Sequence, residues 1–401
     1  MRKHNRSAFN GYRYTPSAYS QVLCCDCSMT WRTRAAYVDA LPDAEPRRRQ
    51  PSMGDRSAIE WTDSSWNPAT GCTEVSTGCD RCYAKTLAER FRGTPGHYYE
   101  AGFDVTLRPQ QLDQPLRWRR PRYVFLGSMF DLFHQDIPDE YIARMFGIMA
   151  LAKRHTFLGL TKRHGRMHSL LTSPRWRGMC EDAQMRVAAE AHEAGALSRQ
   201  NFEACRDAWW SDFARPLPNF WLGVSVEDQQ RAGLRIPALL DTPVARRILS
   251  CEPLLSALDL SPWTAPIRGV ADCVGDQHDA GHECSRCARL DWVIVGGESG
   301  HGARPMHPDW VRSLRDQCAQ SSIPFFFKQW GRWQPTTADR PGAIGMTVDG
   351  MFGSVLVDGQ WTIGDGTRYT PMVAVGKGAA GRALDGRTHD DRPAPMGVAG
   401  G

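Results

Sequence analysis

Three cysteines carry the strongest chemical signal in the chain. Cys72, Cys79 and Cys82 stand in a C-x6-C-x2-C spacing, with Gly71 and Gly78 just before the first two. Thiolates are soft ligands, and three on one short loop make a preorganised site for zinc or for an iron–sulfur cluster. A helix is expected straight after the loop, because Tyr83, Leu87 and Phe91 recur every four residues and Gly93 ends the run. Amides at the start of that helix are expected to stabilise the thiolates and lower their pKa values. Three ligands where four are usual leave one metal position open. In a structural zinc site a distant His or Cys closes it; in a cubane one iron lacks a protein ligand.

A second metal-like set is Cys273, His278, His282, Cys284 and Cys287, with a C-x2-C pair at Cys284 and Cys287. Zinc suits such a mixed set, and here it lies in a polar stretch where a metal can replace a missing apolar core. The plain alternative is an exposed loop with incidental cysteines. Arg117, Arg119, Arg120 and Arg122 surround Trp118. That pattern suits a phosphate backbone with one stacked base, or simply a solvated loop leading into a strand.

These groups need a scaffold, and the apolar runs supply one. Strands are expected at 123–127, 155–160, 220–224, 247–250, 292–295 and 324–327, with a seventh at 65–69 before the cysteine loop. Helical segments fall between them, including one after Pro138 with apolar positions at Ile142, Met145, Phe146 and Met149. Residues 175–215 read as a polar helical insertion outside the core. Short apolar strands alternating with helices argue for an α/β fold with a parallel sheet covered on both faces. Each strand ends in polar or small residues: Ser128 and Asp131; Thr161, Lys162 and Arg163; Ser225 and Glu227; Glu252; Gly297, Glu298 and Ser299; Lys328 and Gln329. Polar groups gathered at the carboxyl ends of parallel strands are how barrel enzymes build their sites, so a partial or full TIM-like barrel is expected.

Several stretches together resemble a known family. They are Ile59-Glu60-Trp61-Thr62-Asp63, Trp66-Asn67-Pro68, the cysteine loop through Ala84, Ser128-Met129-Phe130-Asp131, Leu160-Thr161-Lys162-Arg163, Trp221 to Glu227, Glu252-Pro253-Leu254, Gly296-Gly297-Glu298-Ser299-Gly300 and Phe327-Lys328-Gln329-Trp330-Gly331. Over roughly residues 55–390 the chain resembles an uncharacterised, phage- and prophage-associated family of three-Cys-motif proteins. That family looks like a divergent branch of the radical S-adenosylmethionine (SAM) enzymes, whose common spacing is C-x3-C-x2-C. The resemblance implies a [4Fe-4S] cluster on Cys72, Cys79 and Cys82, SAM at its open iron, and a 5′-deoxyadenosyl radical after electron transfer. An electron donor such as a flavodoxin or ferredoxin is then a partner. Gly296, Gly297 and Glu298 are candidates for the amino group or ribose of SAM, although in those enzymes a similar tripeptide follows soon after the cysteines. Lys162 or Arg163 is a candidate partner for the SAM carboxylate or for an anionic substrate. The phage association keeps nucleic acid in view as substrate or partner. The rival reading is a non-catalytic, zinc-stabilised protein that binds nucleic acid or another protein.

At 401 residues, 41% of them apolar, the chain can bury a large core. It has no apolar run long enough to cross a membrane and no signal-peptide pattern, so a cytoplasmic location without a membrane partner is expected. Thirteen cysteines in that compartment point to metal ligands and buried thiols, not disulfides. The net charge of +5 comes from residues 1–52, where 9 Lys and Arg face 4 Asp and Glu. Cys24 and Cys27 there could join a metal site. Residues 1–54 are therefore expected to be a disordered arm or a stretch before the true start at Met53. Residues 55–333 are expected to form the barrel, with 265–290 either a zinc loop or a plain exposed one, and residues 334–401 an extension with a hairpin turning at Asp358-Gly359 and disorder from Asp391 on. A chain beginning at Met53 should express, fold and bind metal as the full chain does; loss of soluble expression on that truncation counts against this reading.

Overall fold

The chain divides into Met1–Pro51 and Ser52–Gly401. A computed structural model of it describes residues 57–264 and 289–394, apart from 196, 214, 338 and 354–368. The basic extension with its cysteines, the Cys273–Cys287 set and the Asp358-Gly359 turn lie outside the described residues.

Seven short runs make the main sheet: β1 (Ser64–Trp66), β2 (Tyr123–Leu126), β3 (Thr156–Thr161), β4 (Phe220–Ser225), β5 (Arg246–Cys251), β6 (Trp292–Gly296) and β7 (Phe325–Gln329). All pair in parallel and in chain order, and the sheet curls into a half-barrel. This is the α/β, partial TIM-like architecture that the alternation of strands and helices indicates.

Side chains alternate across a strand, so the sheet has two apolar faces. Outward, Val124, Phe157, Leu222, Val224, Leu249, Val293 and Phe327 meet the helices in the main core. Inward, Trp61, Phe125, Leu158, Trp221, Ile248, Trp292, Ile294 and Phe326 form a second core. Its rings meet edge to face, Trp61 on Phe125 at 4.6 Å and Trp292 on Phe326 at 5.9 Å. On the same inward face, further along each strand, the residues become Ser225, Ser250 and Lys328.

The helices are α1 (Tyr83–Glu89), α2 (Asp139–Leu151), α3 (His164–Leu171), α4 (Trp176–Glu193), α5 (Arg199–Asp212), α6 (Gln229–Leu240) and α7 (Pro308–Gln320). Pro138 opens α2, and Asp228 caps α6 by accepting from the Arg231 amide. Residues 175–215 are helical as expected, but α4 is not outside the core. It lies on α2 and buries Trp176, Cys180, Ala183 and Val187 in the main core. Its polar character misleads because, after Trp176 at its start, the buried stripe is made mostly of small residues and one glutamine.

A four-stranded antiparallel sheet follows: Trp333–Pro335, Ile344–Met346, Phe352–Gly353 and Thr370–Ala374. Met346, Met372 and Leu384 from this region join the main core. Where disorder is expected from the sequence, Asp391 to Ala394 instead lie at the amino end of the half-barrel. The Trp292 indole donates to Asp391 O, Arg392 donates to Glu60 O and Arg246 to Ala394 O. No described helix is long and apolar enough to cross a membrane.

The placement of α4 is open to a direct check. Trp176 stands edge-on to Phe146 at 4.9 Å. Trp176→Ala should cost about 3–5 kcal/mol in urea unfolding, the range for a large core aromatic. A peripheral insertion would lose only about 0.5 kcal/mol or less.

Candidate functional site

The carboxyl ends of the strands open on a cavity of about 200 Å3. Cys72, Cys79 and Cys82 all line it, facing Ser128, Asp131, Thr161, Lys162, Ser225, Ser250, Glu252 and Lys328. The structure thus brings together the cysteine loop and strand-end groups from β2, β3, β4, β5 and β7.

The loop is fixed first by its own chemistry. Gly71 takes a φ of +94°, and a Cβ there would meet Asp104 O at 2.2 Å, so only glycine fits. The Gly71 amide donates to Met129 O, and the Cys72 amide donates to Phe103 O. A tight turn over Thr77–Cys79 precedes Cys82, which opens α1. Tyr83 lines the cavity and its hydroxyl donates to Ser128 O at 2.8 Å. Cys72 and Cys82, each partly buried, pack against Ala84, Ala88, Tyr99, Phe103 and Met129, an apolar backing behind the cavity wall.

Three arginines then tie the loop to the half-barrel. Arg163, just past β3, donates to Thr73 O and to Thr73 Oγ1 at 2.6 Å. Arg235, on α6, donates to Ser76 Oγ at 3.0 Å, to Ser225 O at 2.6 Å and to Glu227 at 2.8 Å. Arg304, after β6, donates to Thr77 O at 2.8 Å and pairs with Asp80 at 3.2 Å, while also holding Glu298. Glu227 and Arg235 are 1% and 3% exposed, a buried pair directly under the loop. Gly78 makes the close approach feasible: a Cβ there would stand 3.0 Å from the Glu227 carboxylate carbon and 3.3 Å from Lys162 Cε.

Lys162 lines the cavity as expected. Arg163 turns its guanidinium to Thr73. The Gly296-Gly297-Glu298 tripeptide does not line the cavity. A Cβ at Gly297 would meet Trp330 O at 2.1 Å, and one at Gly296 would meet the Glu252 carboxylate at 2.9 Å. Both glycines serve close chain packing. The Glu298 carboxylate is taken by the amide and guanidinium of Arg304, so it reaches the cysteine loop through that arginine and does not face the cavity. Inside the cavity, Lys328 Nζ and Glu252 pair at 3.0 Å, and Ser250 Oγ donates to the same carboxylate at 3.3 Å.

The expected lowering of the thiol pKa values does not hold at Cys72. Burial first, and then the Asp131 carboxylate, push its thiol up to about 11, with Arg163 pulling partly back. Cys72 sits at the far end of the loop from α1, so the helix amides do not serve it. The basic stretch also differs from expectation. Trp118 is buried in the main core, with Arg122 over its ring at 5.0 Å, and offers no free face for a base.

Among the described residues, no three His, Cys, Asp or Glu side chains converge as closely as a single metal ion requires. The three thiols share a cavity wall. Arg235 and Arg304 are the functional residues that motif reading misses. Arg235 had a signal: Ala232, Ile236 and Leu239 mark the buried stripe of α6, and Arg235 falls on that stripe. An arginine on an apolar face needs a buried partner. Arg235→Leu leaves Glu227 buried without that partner. It should cost about 3–5 kcal/mol in urea unfolding of metal-free protein. A loss under about 1 kcal/mol would show that the pair does not secure the loop.

Nothing among curated proteins or solved structures matches the chain. A family of proteins of unknown function, DUF5131, matches residues 56–393, which take in the cysteine loop and every strand of the half-barrel. The chain belongs to this family.

Proposed function

We propose that the chain is an iron–sulfur enzyme of the radical-SAM type, acting on a substrate related to nucleic acid. One observation carries the reading. Three thiols line a single cavity at the carboxyl ends of a parallel half-barrel, opposite a wall of strand-end polar groups. The donor set suits a [4Fe-4S] cluster, since three thiolates on one loop leave the fourth corner free. The apolar backing of Cys72 and Cys82 suits it too, because burial tunes and protects such clusters. With SAM bound, a cluster of this kind supplies one-electron cleavage of the sulfonium; the protein supplies position and shelter.

The chain's own residues have definable tasks. Cys72 must lose its proton to act as a ligand; Arg163 beside it favours the thiolate while burial and Asp131 oppose it. The pairing of Glu252 with Lys328 leaves Lys162 to hold an anionic group at the cavity wall. The hydroxyls of Ser225 and Ser250 add neutral hydrogen-bond partners. Tyr83 forms part of the wall near the thiols. A cytoplasmic setting, a flavodoxin or ferredoxin as electron donor, and the phage association belong to the same proposal.

Anaerobic reconstitution tests it. Wild-type protein should turn brown and bind iron and sulfide. After reduction with dithionite it should form 5′-deoxyadenosine slowly from SAM alone. Cys72→Ala, Cys79→Ala and Cys82→Ala should each lose most of the iron and all of that product, while Cys318→Ala, in α7, keeps both. Colourless protein with stoichiometric zinc sinks the proposal in favour of a zinc-stabilised binding protein. A full four-iron cluster that neither binds nor cleaves SAM removes the radical-SAM part alone.

A further inference from the structure

A second cavity, of about 350 Å3, opens beside the first and shares Val75 and Lys162 with it. Its lining carries the cations Lys162, Arg163, Arg166, Arg231 and Arg235, and no carboxylate. Two of these are matched from outside the lining: Arg235 by Glu227 at 2.8 Å and Arg166 by Asp139 at 2.6 Å. Arg231 stands 3.8 Å from the same Glu227 that Arg235 already holds, and its buried Nε donates to nothing. Lys162 and Arg163 make no ion pair among the described residues. Three positive charges therefore face one cavity without counterions of their own.

The start of α3 adds donors of another kind. His164, Gly165 and Arg166 open that helix and line the cavity. The helix has no side-chain cap and no acidic residue in its first turn. Amides at a helix start are unpaired donors at the positive end of the dipole, a setting that suits phosphate. Val75 and Leu234, 40% and 50% exposed, supply an apolar flank.

We infer that this cavity holds the phosphate of a nucleotide-sized ligand, free or as one unit of a nucleic-acid strand, with Lys162 setting it against the cysteine cavity. A phosphate monoester carries about −1.5 to −2 at neutral pH, which answers three uncompensated cations better than a single carboxylate does. The volume sits at the low end of small-ligand pockets, enough for one nucleotide and no folded polymer. As the place where a substrate is held, the site rests on the radical-SAM reading. As an anion site it stands on its own residues.

The test uses full-length protein as purified, before any iron is added, so its outcome is separate from the iron content of the cysteine variants. Calorimetry at low salt compares adenosine monophosphate, adenosine and a short single-stranded oligonucleotide. Adenosine monophosphate should bind roughly tenfold or more tightly than adenosine, the worth of one charge-assisted contact. Lys162→Ala and Arg231→Ala should each weaken it roughly tenfold. Gly165→Asp separates binding from folding: a Cβ there meets nothing within 4 Å, and a carboxylate at a helix start stabilises the helix. That variant should stay folded and lose the nucleotide. A tighter oligonucleotide with a steeper salt dependence assigns the phosphate to a strand; equal or weaker binding assigns it to a free nucleotide. The inference is overturned if adenosine binds as well as its monophosphate, if neither phosphate probe binds, or if a folded Gly165→Asp binds unchanged.

Discussion

Glu227 and Arg235 meet at 2.8 Å almost wholly out of water, and the cysteine loop lies directly on them. Removing two such charges from solvent costs several kcal/mol each, and their attraction offsets this only when every remaining hydrogen-bond group is satisfied. Arg235 meets its part by donating to Ser225 O at the end of β4 and to Ser76 Oγ in the loop, while Glu227 Oε1 has only the Arg231 guanidinium, 3.8 Å away. The loop is thus one of the partners that make the buried pair tolerable. In return, the pair fixes where the loop sits. Gly78 is part of the same bargain, because any side chain there would press on the Glu227 carboxylate and on Lys162.

The arrangement repeats on another flank. Glu298 holds Arg304, and Arg304 reaches Thr77 and Asp80. With Arg163 on Thr73 and Arg235 on Ser76, three arginines from separate segments grip four residues of one loop. Each grip is a guanidinium, which presents several donors in a fixed plane and stays charged at any working pH. This matters for the chemistry proposed. Thiolates at Cys72, Cys79 and Cys82 bring negative charge into a partly buried place, and the surrounding cations lower that cost. Ordering the loop in advance also means that a bound group need not supply the entropy of folding it.

The half-barrel was legible because parallel strands buried on both faces read as short continuous apolar runs, and six of them stand out between helical segments. The cavity's cysteines and its strand-end groups were legible for a related reason: polar residues at successive strand ends have nowhere to converge but one rim. What was hidden depends on which partner a side chain finds. Glu298 next to two glycines reads as a ligand group, yet Arg304, six residues on, claims it. Trp118 among arginines reads as a stacking platform, yet it sits in the core with a hydrogen-bonded Arg154 reaching its carbonyl. α4 reads as peripheral because much of its contact face is alanine, and alanine signals close helix packing no more than it signals exposure. Pairing and packing are properties of two segments, and one segment's pattern does not contain the other.

The inward face of the half-barrel also decides where a ligand enters. Trp61, Trp221, Trp292 and Phe326 fill the amino half of the concavity, and Asp391 to Ala394 lie across that end through the Trp292 indole, Arg246 and Glu60. Space for a ligand is left toward the carboxyl ends, where Ser225, Ser250 and Lys328 replace the aromatic residues. There the two cavities meet at Lys162. Its backbone amide donates to Asp131 Oδ2, a carboxylate that also accepts from Thr161 and from the Phe133 amide. Asp131 therefore anchors the base of Lys162 and, after burial itself, is the next cause that raises the Cys72 thiol pKa. One carboxylate behind one lysine couples the wall that would bind metal to the wall that would bind an anion. Filling either wall changes the field at the other, since the charges share a partly buried space where screening by water is weak.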